Sequence, residues 1–156
     1  MAYWLMKSEP DEFGIDDLYR APDRTAPWDG VRNYQARNML RDEMREGDQV
    51  LFYHSSCTPP GVAGIAQVVR AGYPDASAWD PASPYYDSAS TPEKPRWYRV
   101  DVQWQASFPR LVTLAELRAE PALADMALLR KGNRLSVMRV TEDEWRVILA
   151  MAEARS

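Results

Sequence analysis

Apolar and polar positions change period several times along the chain, and each change marks an element. AYWLMK (2–7) is aromatic and apolar in an extended run and predicts a buried first strand, which Pro10 stops. GIDDLYR (14–20) predicts a short helix or turn, and PDRTAPW (22–28), with two prolines, a loop. Asp29-Gly30 predicts a turn, after which residues 32–45 have helical composition, with Ala36, Met39, Leu40 and Met44 on one core-facing side. Gly47 ends that helix. DQVLFYHSS (48–56) predicts a second strand, Pro59-Pro60-Gly61 a turn, and VAGIAQVVRAGYP a third strand antiparallel to it, where Gly64 signals a bulge or a close backbone approach.

Residues 74–96 are rich in Pro, Ser, Ala and Asp and predict a loop long enough to be functional or mobile. WYRVDVQWQASF (97–108) alternates, so Tyr98, Val100, Val102 and Trp104 are expected inward and Trp97, Arg99, Asp101 and Gln103 outward. TLAELRAE (113–120) predicts a short helix. RKGNRLSVMRV follows, and Thr141 with Glu144 forms a capping box that opens a final helix, EWRVILAMAEA. Strands with helices between and after them predict an α+β fold. No repeat and no linker divides the chain, so residues 1–156 are expected to form a single domain.

Composition sharpens this picture. Six tryptophans and eight tyrosines stand against three phenylalanines, a balance suited to rings that also face water or a ligand. A formal net charge of -4 and a pI near 5.1 give no long-range attraction to polyanions, so any nucleic-acid binding must be local. One cysteine and one histidine cannot make an internal disulfide or a four-ligand zinc site, and no metal or cofactor is expected. The opening apolar run is too short for a signal peptide, and no stretch approaches a membrane span. A monomeric cytoplasmic protein with no membrane partner is the expectation.

Four stretches carry candidate chemistry. KSEPDEF (7–13) places Lys7, Ser8 and Glu9 at the end of the first strand, a usual position for a ligand site, although a capping Ser8 and a Lys7–Glu9 pair explain it equally. WDGVRNYQARN (28–38) sets Trp28 ahead of a helix and Asn33 in its first turn. An indole wall and an amide with one donor side and one acceptor suit the recognition of a heterocycle. Arg37, Arg41 and Arg45 continue at i, i+4 spacing as a row for phosphates, or as a solvated face paired with Asp42, Glu43 and Glu46. In LFYHSSC (51–57), His54 and Cys57 are poorly spaced for a catalytic pair, and a neutral His54 bonded to a ligand or to the backbone fits better. RKGNRLS (130–136) offers cations and a Gly132-Asn133 turn, either a phosphate cradle or an exposed hairpin.

MKSEPDEF, WDGVRNYQARN, VLFYHSS with PPG, VAGIAQVV, YPD, PRW, VDV and RLSV occur in the order found in the EVE-domain family, which includes the thymocyte nuclear protein group. The chain resembles that family from Tyr3 to its last helix. The resemblance implies a PUA-like fold, a small mixed β-barrel flanked by helices, and kinship with YTH domains. It implies a non-enzymatic reader of modified bases, chiefly modified cytosine in DNA, with a modified RNA base as the other substrate. Carried over, the pocket comprises Lys7, Ser8, Trp28, Val31, Asn33, Tyr53, His54, Ser55, Arg134, Leu135 and Ser136. Family members commonly have proline where this chain has Arg139, which bears on the local backbone and not on the pocket.

The expected mechanism extrudes a nucleotide from its strand into a slot walled by Trp28, with Tyr85 and Tyr86 of the long loop as further walls. Asn33, Ser8 and backbone groups meet the Watson–Crick edge, and Arg37, Arg41, Arg130 and Lys131 meet phosphates. Two other classes compete. One is a hydrolase acting on a modified nucleoside through Lys7. The other is a protein-interaction module that uses the 74–96 loop and the exposed face of residues 97–108.

Overall fold

The computed structural model describes residues 1–153 and shows six strands and five α-helices. In chain order these are β1 (Tyr3–Ser8), α1 (Pro10–Phe13), α2 (Ile15–Arg20), β2 (Thr25–Pro27), α3 (Tyr34–Asn38), β3 (Gln49–His54), β4 (Gly61–Pro74), β5 (Tyr98–Thr113), α4 (Leu114–Ala119), β6 (Val137–Val140) and α5 (Glu142–Glu153). The strands form one mixed sheet in the order β2-β5-β4-β3-β1-β6. β1 and β3 run parallel, and the other neighbours are antiparallel. The expected PUA-like mixed fold flanked by helices is present, and its sheet keeps two edges, β2 and β6, so the small mixed β-barrel expected is not closed.

Its central strands are buried on both faces. Trp4, Met6, Val50 and Phe52 enter one core with Leu18, Ala36, Leu40, Val100 and Val102. Leu5, Leu51 and Tyr53 enter a second core with Leu117, Met138, Trp145 and Ile148. This is the period-two alternation of a strand covered on both sides, and it explains why β1 and β3 read as continuous apolar runs. The parallel β1–β3 pair requires a crossover, and residues 9–48 supply it, carrying α1, α2 and α3 to the first core. Its end is fixed by Asp48, a buried carboxylate that accepts hydrogen bonds from Ala2 N at 3.0 Å, Trp4 Nε1 at 3.0 Å and Arg45 N at 2.9 Å.

Several expectations change in the structure. The helix expected over 32–45 is five residues of α-helix followed by a π-turn, Met39–Glu43, in which Met44 N donates to Met39 O at 2.9 Å. The wider turn keeps Leu40 and Met44 fully buried but leaves Met39 only partly so. The proline-bearing stretch at 22–28 contains β2, which its prolines confine to a sheet edge. Trp97, expected outward, is buried, because it precedes β5 and lies under the long loop.

Other expectations match. Gly64 sits where the β4–β5 register shifts, and a Cβ there would collide with the carbonyl oxygen of Ala106. Thr141 and Glu144 exchange the two hydrogen bonds of a capping box. Arg139 is accommodated on the edge strand β6, its guanidinium 4.6 Å from the Trp4 ring centroid. Of the run expected as the last helix, Ala154 lies outside the described residues. Among the described residues no helix is long and apolar enough to cross a membrane.

Candidate functional site

The parallel strands β1 and β3 end side by side, with Lys7 opposite Tyr53 and Ser8 opposite His54. Where their side chains leave the sheet, the surface opens into a cleft of about 890 Å³. β1 contributes Lys7 and Ser8, the approach to α3 contributes Trp28 and Val31, the β3–β4 turn contributes Ser55, and the segment before β6 contributes Arg134 and Ser136. These seven expected pocket residues are thus brought together from four separate parts of the chain. Backbone hydrogen bonds fix the junction: Lys7 N donates to Ser136 O at 2.8 Å, and Ser55 N to Ser8 O at 2.9 Å.

Trp28 belongs to both core and cleft. Its ring meets Phe52 edge-on, centroids 5.3 Å apart and planes at 77°, and the residue is 8% exposed while still lining the cavity. Such a wall is rigid, because the packing behind it sets its angle. Opposite chemistry comes from Ser8, whose hydroxyl donates to Phe13 O at 2.6 Å and so presents an acceptor oxygen. Burial pushes the Lys7 amine below its ordinary pKa.

Four other expected pocket residues serve different ends. Asn33 is the N-cap of α3, its Oδ1 accepting from Ala36 N at 3.0 Å, and its side chain does not line the cleft. His54 Nε2 accepts from Ile15 N at 3.1 Å, which requires an unprotonated nitrogen there, and burial holds its pKa down against the opposing carboxylates Asp16 and Asp17. Tyr53 is buried in the second core, with Lys7 Nζ 5.9 Å from its ring centroid. Leu135 packs against that same core.

The expected phosphate contacts lie outside the cleft lining. Arg37 donates to the backbone carbonyl of Arg96 at 2.8 Å and thereby pins the long loop to α3. Arg41 is forked onto Asp42 with both contacts at 2.8 Å, an exposed pair. Arg130 and Lys131 are exposed. The Gly132-Asn133 turn uses its own groups, Asn133 N donating to Arg130 O at 3.2 Å and Leu135 N to Asn133 Oδ1 at 2.9 Å.

The structure shows how the second wall, expected from Tyr85 and Tyr86 of the long loop, is held. Arg32 donates to Tyr85 O at 2.6 Å, to Val31 O at 3.0 Å and to Asp75 at 3.2 Å, and its guanidinium lies 5.7 Å from the Tyr85 ring centroid and 5.3 Å from that of Trp97. Asp75, with no exposed surface, also accepts from Gly30 N at 3.0 Å and from Ser77 N at 2.9 Å. Burial raises the Asp75 pKa, but hydrogen bonds from Ser77, Gly30 and Arg32 outweigh it and leave the group lowered. Gly30 has φ +80°, and a Cβ on it would lie 2.6 Å from the Tyr85 ring. The loop at 74–96 is therefore latched, and its Tyr85 lines the cleft while Tyr86 is 47% exposed and does not.

Trp97 completes the latch, its Nε1 donating to Asp87 at 2.6 Å and its ring stacking on Tyr34 at 4.9 Å. The latch itself has few local signals in the sequence, chiefly Asp29-Gly30 and the Asp75 that follows Tyr73-Pro74. Among the described residues, no group of three or more His, Cys, Asp or Glu side chains is placed to hold a metal ion.

The sequence signature of the EVE domain matches residues 2–151. Human thymocyte nuclear protein 1 is 40% identical over 169 aligned positions, covering 97% of this chain and 74% of that protein. A crystal structure of the human protein (THYN1), in complex with DNA containing 5-methylcytosine, matches with a TM-score of 0.93 and 38% identity, covering 100% of both chains. A Pseudomonas putida protein of known crystal structure is 53% identical, with a TM-score of 0.92 over 97% of this chain and 99% of that one. The YTH domain of a Zygosaccharomyces rouxii protein, solved with N6-methyladenosine RNA, has a TM-score of 0.55 at 14% identity, covering 99% of this chain and 88% of that one, a likeness of fold alone.

Proposed function

This chain belongs to the EVE domain family, and from that premise we propose that it reads a modified nucleobase without converting it, cytosine modified in DNA being the favoured ligand. The base leaves its strand and enters the cleft, with Trp28 and Tyr85 as aromatic walls. The observation that carries this reading is a cleft of about 890 Å³ with two indole and phenol walls, in a chain 38% identical to a protein crystallised with 5-methylcytosine DNA. Ligand pockets of a few hundred Å³ and upward are of a size to enclose one base.

The magnitudes divide the labour. Stacking on an aromatic ring contributes ~1 to 3 kcal/mol and hardly depends on which base is stacked. Identity comes from the polar edge, where a wrong base strands a buried group at a cost of about 1 to 3 kcal/mol. An added methyl contributes only ~0.8 kcal/mol by burial, roughly fourfold in affinity. Turning a base out of a duplex costs a few kcal/mol, so single-stranded or loosened sites bind better.

The test is a titration against matched oligonucleotides carrying cytosine, 5-methylcytosine, adenine or N6-methyladenine, as DNA and as RNA, single- and double-stranded. At least one modified base is expected to bind several-fold tighter than its unmodified parent. Equal binding throughout the panel overturns the reading.

The lowered pKa of Lys7 inside the cleft favours one second reading, an activated amine that cleaves a modified nucleoside. Chromatography after prolonged incubation separates the two, since a reader returns its ligand unchanged.

A further inference from the structure

Asp29 and Arg32 line the cleft, Asp75 and Arg99 lie behind them, and the hydrogen bonds of the four are distributed unevenly. Asp75 is saturated, taking Gly30 N, Arg32, and the backbone and hydroxyl of Ser77. Asp29 differs. It follows the aromatic wall Trp28 directly, it lines the cleft, and its side chain is 35% exposed. Among the described residues no other residue donates a hydrogen bond to its carboxylate. Arg99 Nη1 stands 3.6 Å from it, beyond a good hydrogen bond, and 3.6 Å from Asp75.

Arg99 itself shows the same incompleteness, since its buried Nε has no acceptor among the described residues. The unpartnered Arg99 Nε lies behind the cleft lining, whereas the carboxylate of Asp29 lines the cavity itself, and an acceptor left open there points to a ligand with a complementary donor. The position supports this. A ring stacked on Trp28 brings its edge to the residue next in the chain. Burial and the neighbouring Asp75 carboxylate raise the Asp29 pKa, and Arg99 behind it opposes them in part.

We propose that Asp29 is the specificity-determining residue of the cleft, accepting a hydrogen bond from the exocyclic amino group of the bound base and so selecting amino bases of the cytosine type over their keto counterparts, thymine and uracil. This rests on the base-reading function above. Carboxylates pair with the N4 amino group of cytosine, whereas the O4 carbonyl of thymine at the same place sets lone pairs against lone pairs. Thymine and 5-methylcytosine share ring and methyl group, so stacking and methyl burial cannot distinguish them. Only the edge can.

Equilibrium binding of two otherwise identical single-stranded DNA oligonucleotides, one with 5-methylcytosine and one with thymine at the target position, tests the proposal. The wild-type chain is expected to favour 5-methylcytosine by roughly tenfold or more, the size of one good base-edge contact. Asp29→Asn, nearly isosteric and able to present an N–H, is expected to bring the two affinities within about threefold by strengthening thymine and weakening 5-methylcytosine. Asp29→Ala is expected to weaken 5-methylcytosine alone. Equal affinities in the wild type overturn the proposal without recourse to any variant, as does an unchanged preference in Asp29→Asn of unaltered thermal stability. If the wild type binds neither oligonucleotide nor any other modified base, the base-reading function itself falls and the assignment of Asp29 falls with it.

Discussion

Arg32 donates a 2.6 Å hydrogen bond to the backbone carbonyl of Tyr85, across 53 residues of chain. The contact places an aromatic wall supplied by a long polar loop beside the short segment that carries Trp28. Because the same guanidinium also meets Asp75 and lies between two rings, its planar fork is used in several directions at once. The cleft is consequently built before any ligand arrives, and preorganisation of this kind spares affinity the cost of ordering a loop.

Removal of that fork is expected to loosen the wall. Arg32→Ala leaves the buried Asp75 carboxylate short of one donor and Tyr85 O without any, and should lower stability by about 1.5 to 3 kcal/mol in a urea titration. Arg32→Lys restores the charge but not the planar geometry, so it should recover only part of the loss. Both variants are expected to weaken oligonucleotide binding more than Arg130→Ala, whose side chain reaches only Asp125 O at 3.5 Å.

Gly30 is required twice over, for its φ of +80° and for the 2.6 Å approach of the Tyr85 ring to its missing Cβ. Gly30→Ala should therefore cost about 1 to 3 kcal/mol and displace Tyr85. In a double-mutant cycle, Tyr85→Ala should relieve the steric part, giving a coupling above about 0.5 kcal/mol, while the backbone part persists. Strict additivity would mean that the ring moves away freely.

How much of this was legible beforehand depends on sequence distance. The strands β1 and β3, the bulge at Gly64 and the capping box of Thr141 and Glu144 rest on local patterns of burial, backbone fit and hydrogen bonding, and they appear where the patterns place them. Trp28, Lys7 and Ser8 are legible because an indole beside a turn and polar groups at a strand end are themselves local signals. Asn33 shows why a sequence pattern does not fix a role, since the first turn of a helix makes its own demand on an amide oxygen and Ala36 N takes that of Asn33. Asp75, Arg32, Trp97 and Asp87 are not legible as a unit, because the contacts that join them into the wall span ten to more than forty residues. The π-turn after Asn38 has no compositional mark at all.

Trp28 carries both stacking and packing, so its substitutions must be graded. Trp28→Ala removes a ring that is 8% exposed and set against Phe52, and is expected to cost about 3 to 5 kcal/mol, enough to confuse lost binding with lost fold. Trp28→Phe keeps a smaller ring and should remain folded while binding weakens by up to about tenfold. Thermal unfolding and oligonucleotide titration on the same samples separate the two effects.

His54 makes stability depend on pH in one direction. Burial lowers its folded pKa below the unfolded value of about 6.5, and its Nε2 must stay unprotonated to accept from Ile15 N. The unfolded chain therefore binds the proton more readily than the folded one. The contribution is fully present above about pH 6.5 and is lost as pH falls from there toward the folded pKa. Urea midpoints between pH 7.5 and 5 should fall accordingly, and His54→Gln should flatten the slope. Carboxylates held low, such as Asp75 and Glu116, act in the same sense only at more acid pH.

Salt dependence identifies which cations meet phosphate. With a net charge of -4 the chain gains nothing from its overall field, so binding should weaken steeply with salt only through a few local contacts. Each phosphate neutralised contributes about -0.7 to the slope of log K against log salt on single strands. Arg134 lines the cleft, and Arg130 and Lys131 precede it in the same turn. Alanine at Arg134 should lower the magnitude of that slope by about 0.7, and alanine at Arg130 or Lys131 by a similar or smaller amount. Arg41, already forked onto Asp42, must give up that pair before reaching a phosphate, and exposed pairs hold only about 0 to 1 kcal/mol. A slope unchanged in Arg41→Ala but reduced in Arg134→Ala places the strand across the β6 side of the cleft. The reverse result moves it to the α3 side and makes the arginine row its track.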